Sequence, residues 1–262
     1  MLRAATLASG SSGNCAVVSD GTVHILIDAG ISARRVAQGL RALGLSPAQL
    51  SGVLITHEHS DHISGLDVLC RQMGADLYTA EGTARQICYR RAGMEGRFQV
   101  FEPGERFAVG SLVIHPFATS HDAACPVGYS IEGGGRRLCL CTDTGYVTPE
   151  AAEAAAGCHL LICESNHDVD MLRAGPYPPY LKERILGDRG HLSNEAGAAL
   201  AAGAVRGGAR RVVLAHLSQE NNTPALALAA SKRALEALGA RVGEDVVLTA
   251  APRNDCSGWM EV

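Results

Sequence analysis

The stretch LITHEHSDH, residues 54–62, places three histidines, one glutamate and one aspartate within its last six positions. Imidazole and carboxylate groups are ligands with which proteins bind Zn²⁺, Mn²⁺ and Fe²⁺. The helical zinc motif His-Glu-x-x-His is excluded, because its second histidine would fall at Asp61. A zinc finger is excluded as well, because no two cysteines are spaced as Cys-x-x-Cys. The stretch therefore predicts a metal-binding loop of another geometry.

A strand before this cluster accounts for the spacing. The short apolar run GVLIT, Gly52 to Thr56, is typical of a buried strand. If the backbone remains extended beyond it, His57, His59 and Asp61 alternate onto one side and His62 projects elsewhere. One loop could then offer His57 and His59 to one ion, and Asp61 and His62 to a second.

Further candidate ligands come after other apolar runs that are typical of buried strands. They are His121 after the run that ends at Phe117, Asp143 after RRLCLC, Glu164 after HLLIC and His216 after RVVLA. Rigid strands hold the side chains at their ends in a defined geometry. We therefore expect these residues to join the histidine-rich loop in one site.

The elements that must position these residues alternate between strands and helices. Strands are predicted at Leu2–Ala8, Cys15–Ser19, Thr22–Asp28, Gly52–Thr56, Asp76–Thr79, Phe98–Phe101, Ser111–Phe117, Val127–Ile131, Arg137–Cys141, His159–Cys163 and Arg211–Ala215. Helices are predicted at Ser32–Leu43, Ile63–Met73, Gly82–Ala92, Pro149–Ala156, Asn194–Val205 and Pro224–Leu238. Strands in clusters with helices between them predict sheets covered by helices, and no clear linker or low-complexity segment divides the chain.

The composition is that of a globular chain. It has 262 residues, 47% of them hydrophobic, and no apolar run of about 18 residues that would indicate a membrane span. The N-terminus turns to serine and glycine too early for a signal peptide. Nine cysteines without disulfide spacing favour the reducing cytoplasm, and those in strand-like runs, Cys139, Cys141 and Cys163, are expected to be core thiols.

The formal net charge of −4 argues against a generally basic nucleic-acid-binding protein, but it does not exclude one. Two bound divalent ions would neutralise that charge at the place where a phosphate group would bind.

The series HEHSDH, then a histidine, an aspartate and a histidine, resembles the metallo-β-lactamase fold superfamily over essentially the whole chain. IDAG, Ile27 to Gly30, matches the short aspartate motif that precedes the metal loop there. The resemblance implies an α/β fold, an αββα four-layer sandwich, as a single domain over residues 1–262. It also implies a dinuclear site at one edge of the two sheets, with Asp28 orienting the loop.

The resemblance assigns the ligands residue by residue. His57, His59 and His121 would bind the first ion, Asp61, His62 and His216 the second, and Asp143 would bridge them. None of these ligands is a thiolate, so the set suits Zn²⁺ or Mn²⁺, and also Fe²⁺.

The branch of the superfamily depends on Glu164 and His191, which are outside the ligand set, and on the sequence around the last ligand. Glu164 in ESNHD, His191 in GHLSN and His216 in AHLS resemble the phosphodiesterase branch related to the transfer-RNA 3′-processing ribonuclease Z. That resemblance implies that Glu164 hydrogen-bonds His191, which protonates the leaving group. The catalytic set would be Asp61, Glu164 and His191. In the alternative, His191 only begins a helix whose N-cap is Ser193.

Finer motifs narrow the resemblance. SGSSGN, TSHDAACPVGY, ESNHD, GHLSNE and HLSQENN are most similar to the WalJ/YycJ-type members, which are associated with 5′-to-3′ exonuclease activity on double-stranded DNA. The glycine/proline-rich arm of the transfer-RNA enzyme and the inserted β-CASP domain are absent. We therefore expect a metal-dependent phosphodiesterase, a 5′-to-3′ DNA exonuclease, with nucleic acid and no membrane as partner.

One segment between Glu164 and His191 could handle a polymer. It carries interleaved aromatic and cationic side chains, namely Arg173, Tyr177, Tyr180, Lys182, Arg184 and Arg189. These could stack bases and pair with phosphates, or form a loop and an amphipathic helix packed by the tyrosines. SGSSGN could likewise offer backbone N–H groups to a phosphate or form only a tight turn.

Two other functions stay open. The glyoxalase-type thioesterases share the ligand set, so a small-molecule hydrolase, either a thioesterase or a cyclic-phosphate diesterase, is the alternative. A metal-binding module without activity is the third reading, against which the complete ligand set counts. A broad arginine-lined groove would favour the nuclease, and a closed pocket the small-molecule enzyme.

Overall fold

The computed structural model describes residues 1–262 and contains two seven-stranded sheets. The strands in chain order are β1 (Arg3–Ala8), β2 (Cys15–Ser19), β3 (His24–Ile27), β4 (Gly52–Leu54), β5 (Asp76–Ala80), β6 (Phe98–Phe101), β7 (Phe107–Val109), β8 (Leu112–Ala118), β9 (Val127–Gly133), β10 (Arg136–Cys141), β11 (Leu160–Glu164), β12 (Arg211–Ala215), β13 (Val247–Ala250) and β14 (Met260–Glu261). The first sheet has the order β14-β1-β2-β3-β4-β5-β6, and the second has the order β13-β12-β11-β10-β9-β8-β7.

The helices lie mostly in the connections between parallel strands. They are α1 (Ala33–Ala42), α2 (Ser60–Ile63), α3 (Leu66–Cys70), α4 (Glu81–Arg90), α5 (Pro149–Ala156), α6 (Val169–Ala174), α7 (Pro179–Leu186), α8 (Asn194–Arg206) and α9 (Pro224–Ala237), with a 3₁₀ turn at Pro47–Gln49. None of these helices combines the length and the apolar content that crossing a membrane would require.

Strand direction explains why the candidate ligands can meet. In the first sheet β3, β4, β5 and β6 run parallel. In the second sheet β10, β11, β12 and β13 run parallel, and β8 has the same direction because both β8 and β10 are antiparallel to β9. The carboxyl ends of β8, β10, β11 and β12 therefore lie at one edge of the second sheet.

The apolar side chains form layers. Successive residues of β3 alternate between two clusters, with Leu26 in the cluster under α1 and Ile25 and Ile27 in the cluster between the sheets. In β11, Leu160 and Ile162 face the same central cluster, while Leu161 packs in the cluster under the helices of the second sheet. Strands buried on both faces read as continuous apolar runs. Two packed sheets with helices outside confirm the predicted αββα four-layer class.

The predicted helix over residues 63–73 is wrong. The chain forms two shorter helices instead, α2 and α3, which are separated at Ser64 and Gly65. A Cβ at Gly65 would lie 2.0 Å from the carbonyl oxygen of Ile31, so the backbone must pass close to the IDAG turn at this point. Helix α2 also begins three residues earlier than the predicted helix, so that it includes Asp61 and His62.

Other boundaries differ by one or two residues, and Glu164 is the last residue of β11 rather than the residue after it. The elements β7, β13, β14 and α6 lie outside the predicted set, because each is short and carries little apolar periodicity. Helix α7 corresponds to the amphipathic helix that is one of the two alternatives for the segment between Glu164 and His191. Cys139, Cys141 and Cys163 are fully buried in the core, and burial raises the pKa of each thiol.

Candidate metal centre

Three of the polar residues that follow strands have left-handed backbone. Asp28 follows β3 with φ 58°, Asp143 lies two residues after β10 with φ 56°, and His216 follows β12 with φ 56°. This conformation is uncommon for residues other than glycine, and strained backbone tends to occur at functional sites. At these three positions the chain turns sharply as it leaves the sheet, and the side chains are held against the same cluster.

His57, His59 and His121 form the first group that could hold a metal ion. His57 Nε2 lies 3.1 Å from His59 Nδ1, and His121 Nε2 lies 3.3 Å from the same atom. His121 Nδ1 donates to the carbonyl oxygen of Gly190 at 3.0 Å, which leaves Nε2 free to act as a ligand. Burial lowers the pKa of His57 and of His121, so neutral imidazoles with converging lone pairs are favoured here.

Asp61, His62 and His216 form the second group. Asp61 Oδ2 lies 3.5 Å from His62 Nε2 and 3.6 Å from His216 Nε2. His62 Nδ1 donates to Asp28 Oδ2 at 2.8 Å, as expected of the residue that orients the loop. The extended geometry predicted for this loop ends at His59, which caps α2, so the first turn of that helix presents Asp61 and His62.

Asp143 lies between the two groups. Its Oδ2 is 3.4 Å from His62 Nε2, and its Oδ1 is 3.9 Å from His121 Nε2 and 3.3 Å from His216 Nδ1. The carboxylate is almost completely buried, yet Oδ2 has no hydrogen-bond partner. Burial opposes its ionisation, but His216 and His62 outweigh that effect and lower the pKa of Asp143.

Glu164 supports two histidines with one oxygen. Its Oε1 accepts a hydrogen bond from His191 Nδ1 and another from His216 Nδ1, both at 2.8 Å. Its Oε2 accepts from the backbone N–H groups of Thr144 and Leu192 at 3.1 and 3.0 Å. Burial opposes ionisation, but His191 and His216 hold the pKa of Glu164 well below its usual range. The pairing with His191 follows the expectation, whereas the contact with His216 is additional.

The field of the centre favours positive charge. Burial opposes protonation of His62, but Asp143 and Asp28 outweigh it and raise the pKa of His62 well above its usual value. Burial also opposes protonation of His216, but Asp143, Asp61 and Glu164 outweigh it and raise the pKa of His216 to about 10. A cluster with this field and with lone pairs that converge would be stabilised by divalent cations.

Two residues that the sequence analysis did not name individually also contact the centre. Asn14 Nδ2 lies 3.0 Å from His62 Nε2 and 3.4 Å from Asp61 Oδ2. Asp122 places Oδ1 3.4 Å from His121 Nε2, and its Oδ2 accepts a bond from Arg184 Nε at 2.6 Å. Both residues lie within quoted motifs, Asn14 in SGSSGN and Asp122 in TSHDAACPVGY, but only proximity in the fold identifies them as neighbours of the centre.

Gly30, the last residue of IDAG, allows the metal loop to lie directly on the first sheet. A Cβ at this position would come within 1.6 Å of the carbonyl oxygen of Asp61. The neighbouring backbone is tied to the loop, because Asn14 N donates to Asp61 O at 2.7 Å and Ala29 N donates to His62 O at 2.8 Å. The glycine is thus required by close approach of two backbone segments.

The segment between Glu164 and His191 lies partly beside the centre. Tyr177, Arg184 and Arg189 line a cavity of about 160 Å³ together with His121 and His191. The other aromatic and cationic residues of the segment point elsewhere: Tyr180 is 72% exposed, and Lys182 Nζ donates to the carbonyl oxygen of Arg173. A larger cavity of about 300 Å³, lined by His115 and Glu153, contains none of the candidate site residues.

A pair of packed sheets whose strand ends converge on histidines and aspartates defines an α/β protein with a candidate metal centre. The chain belongs to the β-lactamase superfamily, because the family model described as "Beta-lactamase superfamily domain" matches residues 24–217.

Two sequence relatives and one solved structure show which members of this superfamily the chain is similar to. Exodeoxyribonuclease YycJ of Bacillus anthracis is 39% identical over 93% of this chain and 92% of its own length. Exodeoxyribonuclease WalJ of Streptococcus pneumoniae is 40% identical over 84% of this chain and 83% of its own. The metallo-β-lactamase fold protein YhfI of Bacillus subtilis has a TM-score of 0.72 at 16% identity, over 98% of this chain and 99% of that one, which shows the shared fold. The predicted resemblance, and the prediction of a hydrolytic enzyme, are thereby confirmed.

Proposed function

We propose that this protein is a dinuclear metal-dependent phosphodiesterase that digests DNA from the 5′ end. The observation that carries the proposal is the convergence of His57, His59, Asp61, His62, His121, Asp143 and His216 beside the buried Glu164–His191 pair. The choice of DNA and of an exonuclease is supported by the relatives, which carry the name exodeoxyribonuclease.

The residues present fit two divalent cations, Zn²⁺ or Mn²⁺, with Fe²⁺ also compatible with the ligand types. Asp143 Oδ2 and His216 Nε2 are buried without hydrogen-bond partners, an arrangement that costs free energy unless a cation satisfies them. The two groups would each hold one ion, with Asp143 between them. Bound there, such ions would act as Lewis acids that neutralise the phosphate and activate a water.

His191 is suited to give a proton to the leaving group. Its Nδ1–H is held by Glu164 Oε1 at 2.8 Å, so a second proton would be carried at Nε2. The ring is 19% exposed and lines the cavity beside the centre, where a leaving oxygen could reach it. An alkoxide is too basic to depart easily near neutral pH, and a positioned acid is worth about 10² to 10⁴ in rate.

Asp61 is suited to accept a proton from the attacking water. Its Oδ2 is the oxygen that faces His62 and His216, and Oδ1 makes no hydrogen bond within the chain. We assign to Oδ1 the proton of the attacking water. The side chain is 23% exposed, so water reaches it from the open side of the centre.

The test compares linear duplex DNA labelled at the 5′ or the 3′ end, closed circular duplex, RNA, and a small chromogenic phosphodiester. With Mn²⁺ or Zn²⁺, we expect release of the 5′ label before the 3′ label and no cleavage of the circle. The Asp143→Asn variant serves as the inactive control. Hydrolysis of the small ester alone would contradict the proposal and favour the small-molecule hydrolase. Cleavage of the circle would contradict the exonuclease.

A further inference from the structure

The cavity beside His191 has one apolar wall. Leu181 and Ile185 of α7, together with the ring of Tyr177 just before that helix, line it on one side. His121 and His191 belong to the same lining, so the cavity adjoins the candidate metal centre. No residue of α7 is buried, which means that the helix covers the cavity without being part of the core.

Two further lining residues, Asn166 and Ser218, offer hydrogen bonds. Asn166 and Ser218 are only 4% and 6% exposed, and both line the cavity. The Asn166 amide donates Nδ2–H to the carbonyl oxygen of His216 at 2.9 Å, and its Oδ1 accepts no bond within the chain. Ser218 Oγ accepts from the backbone N–H of Asn221 at 3.2 Å, which leaves its proton free. These two residues therefore present one acceptor, Asn166 Oδ1, and one donor, the Ser218 hydroxyl, to a ligand in the cavity.

Two cations complete the lining. Arg184 uses Nε to bind Asp122, and Arg189 uses Nε and Nη2 to reach the carbonyl oxygen of His121, so each keeps guanidinium N–H groups for a further partner. An aromatic ring, an apolar wall, a free donor and acceptor and two arginines together provide partners for the base, sugar and phosphate of one nucleotide. The volume of about 160 Å³ is well below the roughly 300 Å³ at which drug-sized pockets begin, so the cavity encloses only part of one nucleotide and has no room for a second one.

We infer that this cavity binds the single terminal nucleotide that departs when the phosphodiester is cut, so that the enzyme releases mononucleotides one at a time. The inference rests on the proposed function. His191 lines the cavity, so the cavity lies on the side of the leaving group. In cleavage from the 5′ end, water adds to phosphorus, the bond from phosphorus to O3′ of the terminal nucleotide breaks, and Asp61 takes the water proton. The His191 proton passes to O3′, and the phosphate stays on the shortened strand.

A variant in which a larger side chain fills the cavity tests whether a nucleotide binds there. Leu181→Trp places a larger side chain in it, and Leu186→Trp on the same helix, at a residue that is 40% exposed and outside the lining, is the matched control. We expect Leu181→Trp to retain bound metal but to lose about tenfold or more in digestion of 5′-labelled duplex and in affinity for deoxyadenosine monophosphate. Leu186→Trp should match the wild type. Tyr177→Ala, which removes the aromatic wall without overpacking, should also weaken nucleotide binding.

Product size is the second readout. The wild type should release the 5′ label as mononucleotide from the first turnover, and initial release of longer fragments would overturn the inference. Equal nucleotide affinity in Leu181→Trp, Tyr177→Ala and Leu186→Trp would overturn it as well. A wild type that leaves DNA intact would contradict the proposed function, whereas calorimetry with deoxyadenosine monophosphate would still decide whether the cavity holds a nucleotide.

Discussion

Asp143 is the residue on which the two ligand groups depend, because its carboxylate lies between them and has one oxygen without a partner. We predict that Asp143→Asn loses most of the bound metal and of the activity. Asparagine tolerates the left-handed backbone at this position, so the fold should persist while the charge is removed. Metal analysis of the purified variant measures the effect, with the exposed Asp255→Asn as control. Retention of both ions would rule out the bridging role.

The proposed acid, His191, can be separated from the metal ligands by the choice of substrate. We predict that His191→Ala keeps both ions but turns over an ordinary phosphodiester about 10² to 10⁴ times more slowly. A substrate with a nitrophenolate leaving group needs no proton and should be affected much less. His115→Ala, a partly exposed histidine outside the centre, is the control. Equal slowing of both substrates, or loss of metal, would leave His191 with a structural role.

Glu164→Gln should differ from His191→Ala. The glutamate accepts four hydrogen bonds, from His191, His216, Thr144 and Leu192. An amide has only one accepting oxygen, so its NH₂ group must face two donors in either orientation. In one orientation these donors are His191 and the candidate ligand His216, and in the other they are the backbone N–H groups that hold the side chain in place, so we expect weaker metal binding in addition to slower proton transfer.

At the scale of elements, the metal loop depends on its seat on the IDAG turn. We predict that Gly30→Ala displaces the loop, because the new Cβ would lie 1.6 Å from the carbonyl oxygen of Asp61. Overpacking of this kind lowers the free energy of unfolding by about 1–3 kcal/mol. Because the contacting atom belongs to the backbone and cannot rotate away, we expect a loss near the upper end of that range. Thermal unfolding and metal content measure the two consequences. Gly74→Ala, an exposed glycine with open space at Cβ, should leave both unchanged. A stable Gly30→Ala protein with a full metal complement would contradict this account of the glycine.

At the scale of the whole molecule, the candidate centre joins the two sheets. His57, His59, Asp61 and His62 follow β4 of the first sheet, whereas His121, Asp143 and His216 follow β8, β10 and β12 of the second. Cations bound by both sets would therefore hold the sheets together at this edge. A ligand that binds the folded chain but not the unfolded chain stabilises the fold by about 2.7 kcal/mol when the free ligand concentration is about a hundred times Kd.

Removal of metal should accordingly lower the melting temperature. Because about 1 kcal/mol corresponds to about 2–4 °C for a chain of this size, each ion should contribute about 5–10 °C. Calorimetric scans after treatment with a chelator, and again after Mn²⁺ or Zn²⁺ is restored, measure the shift. Asp143→Asn should show little change between the two scans. An unchanged melting temperature in the wild type would mean that no cation links the sheets.

Local patterns in the sequence were sufficient to predict sheets covered by helices and most strands, because a strand buried on both faces is a continuous apolar run that needs no partner to be recognised. The four-layer αββα class came from the resemblance to the superfamily. The positions of His121, Asp143 and His216 after such runs also follow from the sequence, since they concern only neighbours along the chain. Short elements such as β14 escaped prediction, because a two-residue strand exists only through its pairing with β1.

The tertiary structure decided how the centre is assembled. Asp61 and His62 reach it from a helical turn rather than an extended loop, because the chain must pass over Gly30 and Gly65 against the first sheet. The second partner of Glu164, the contact of Asn14 with His62, and the cavity beneath α7 join residues far apart in the chain. Such contacts depend on how two sheets pack and where their strand ends meet, and no periodicity along one strand records that arrangement.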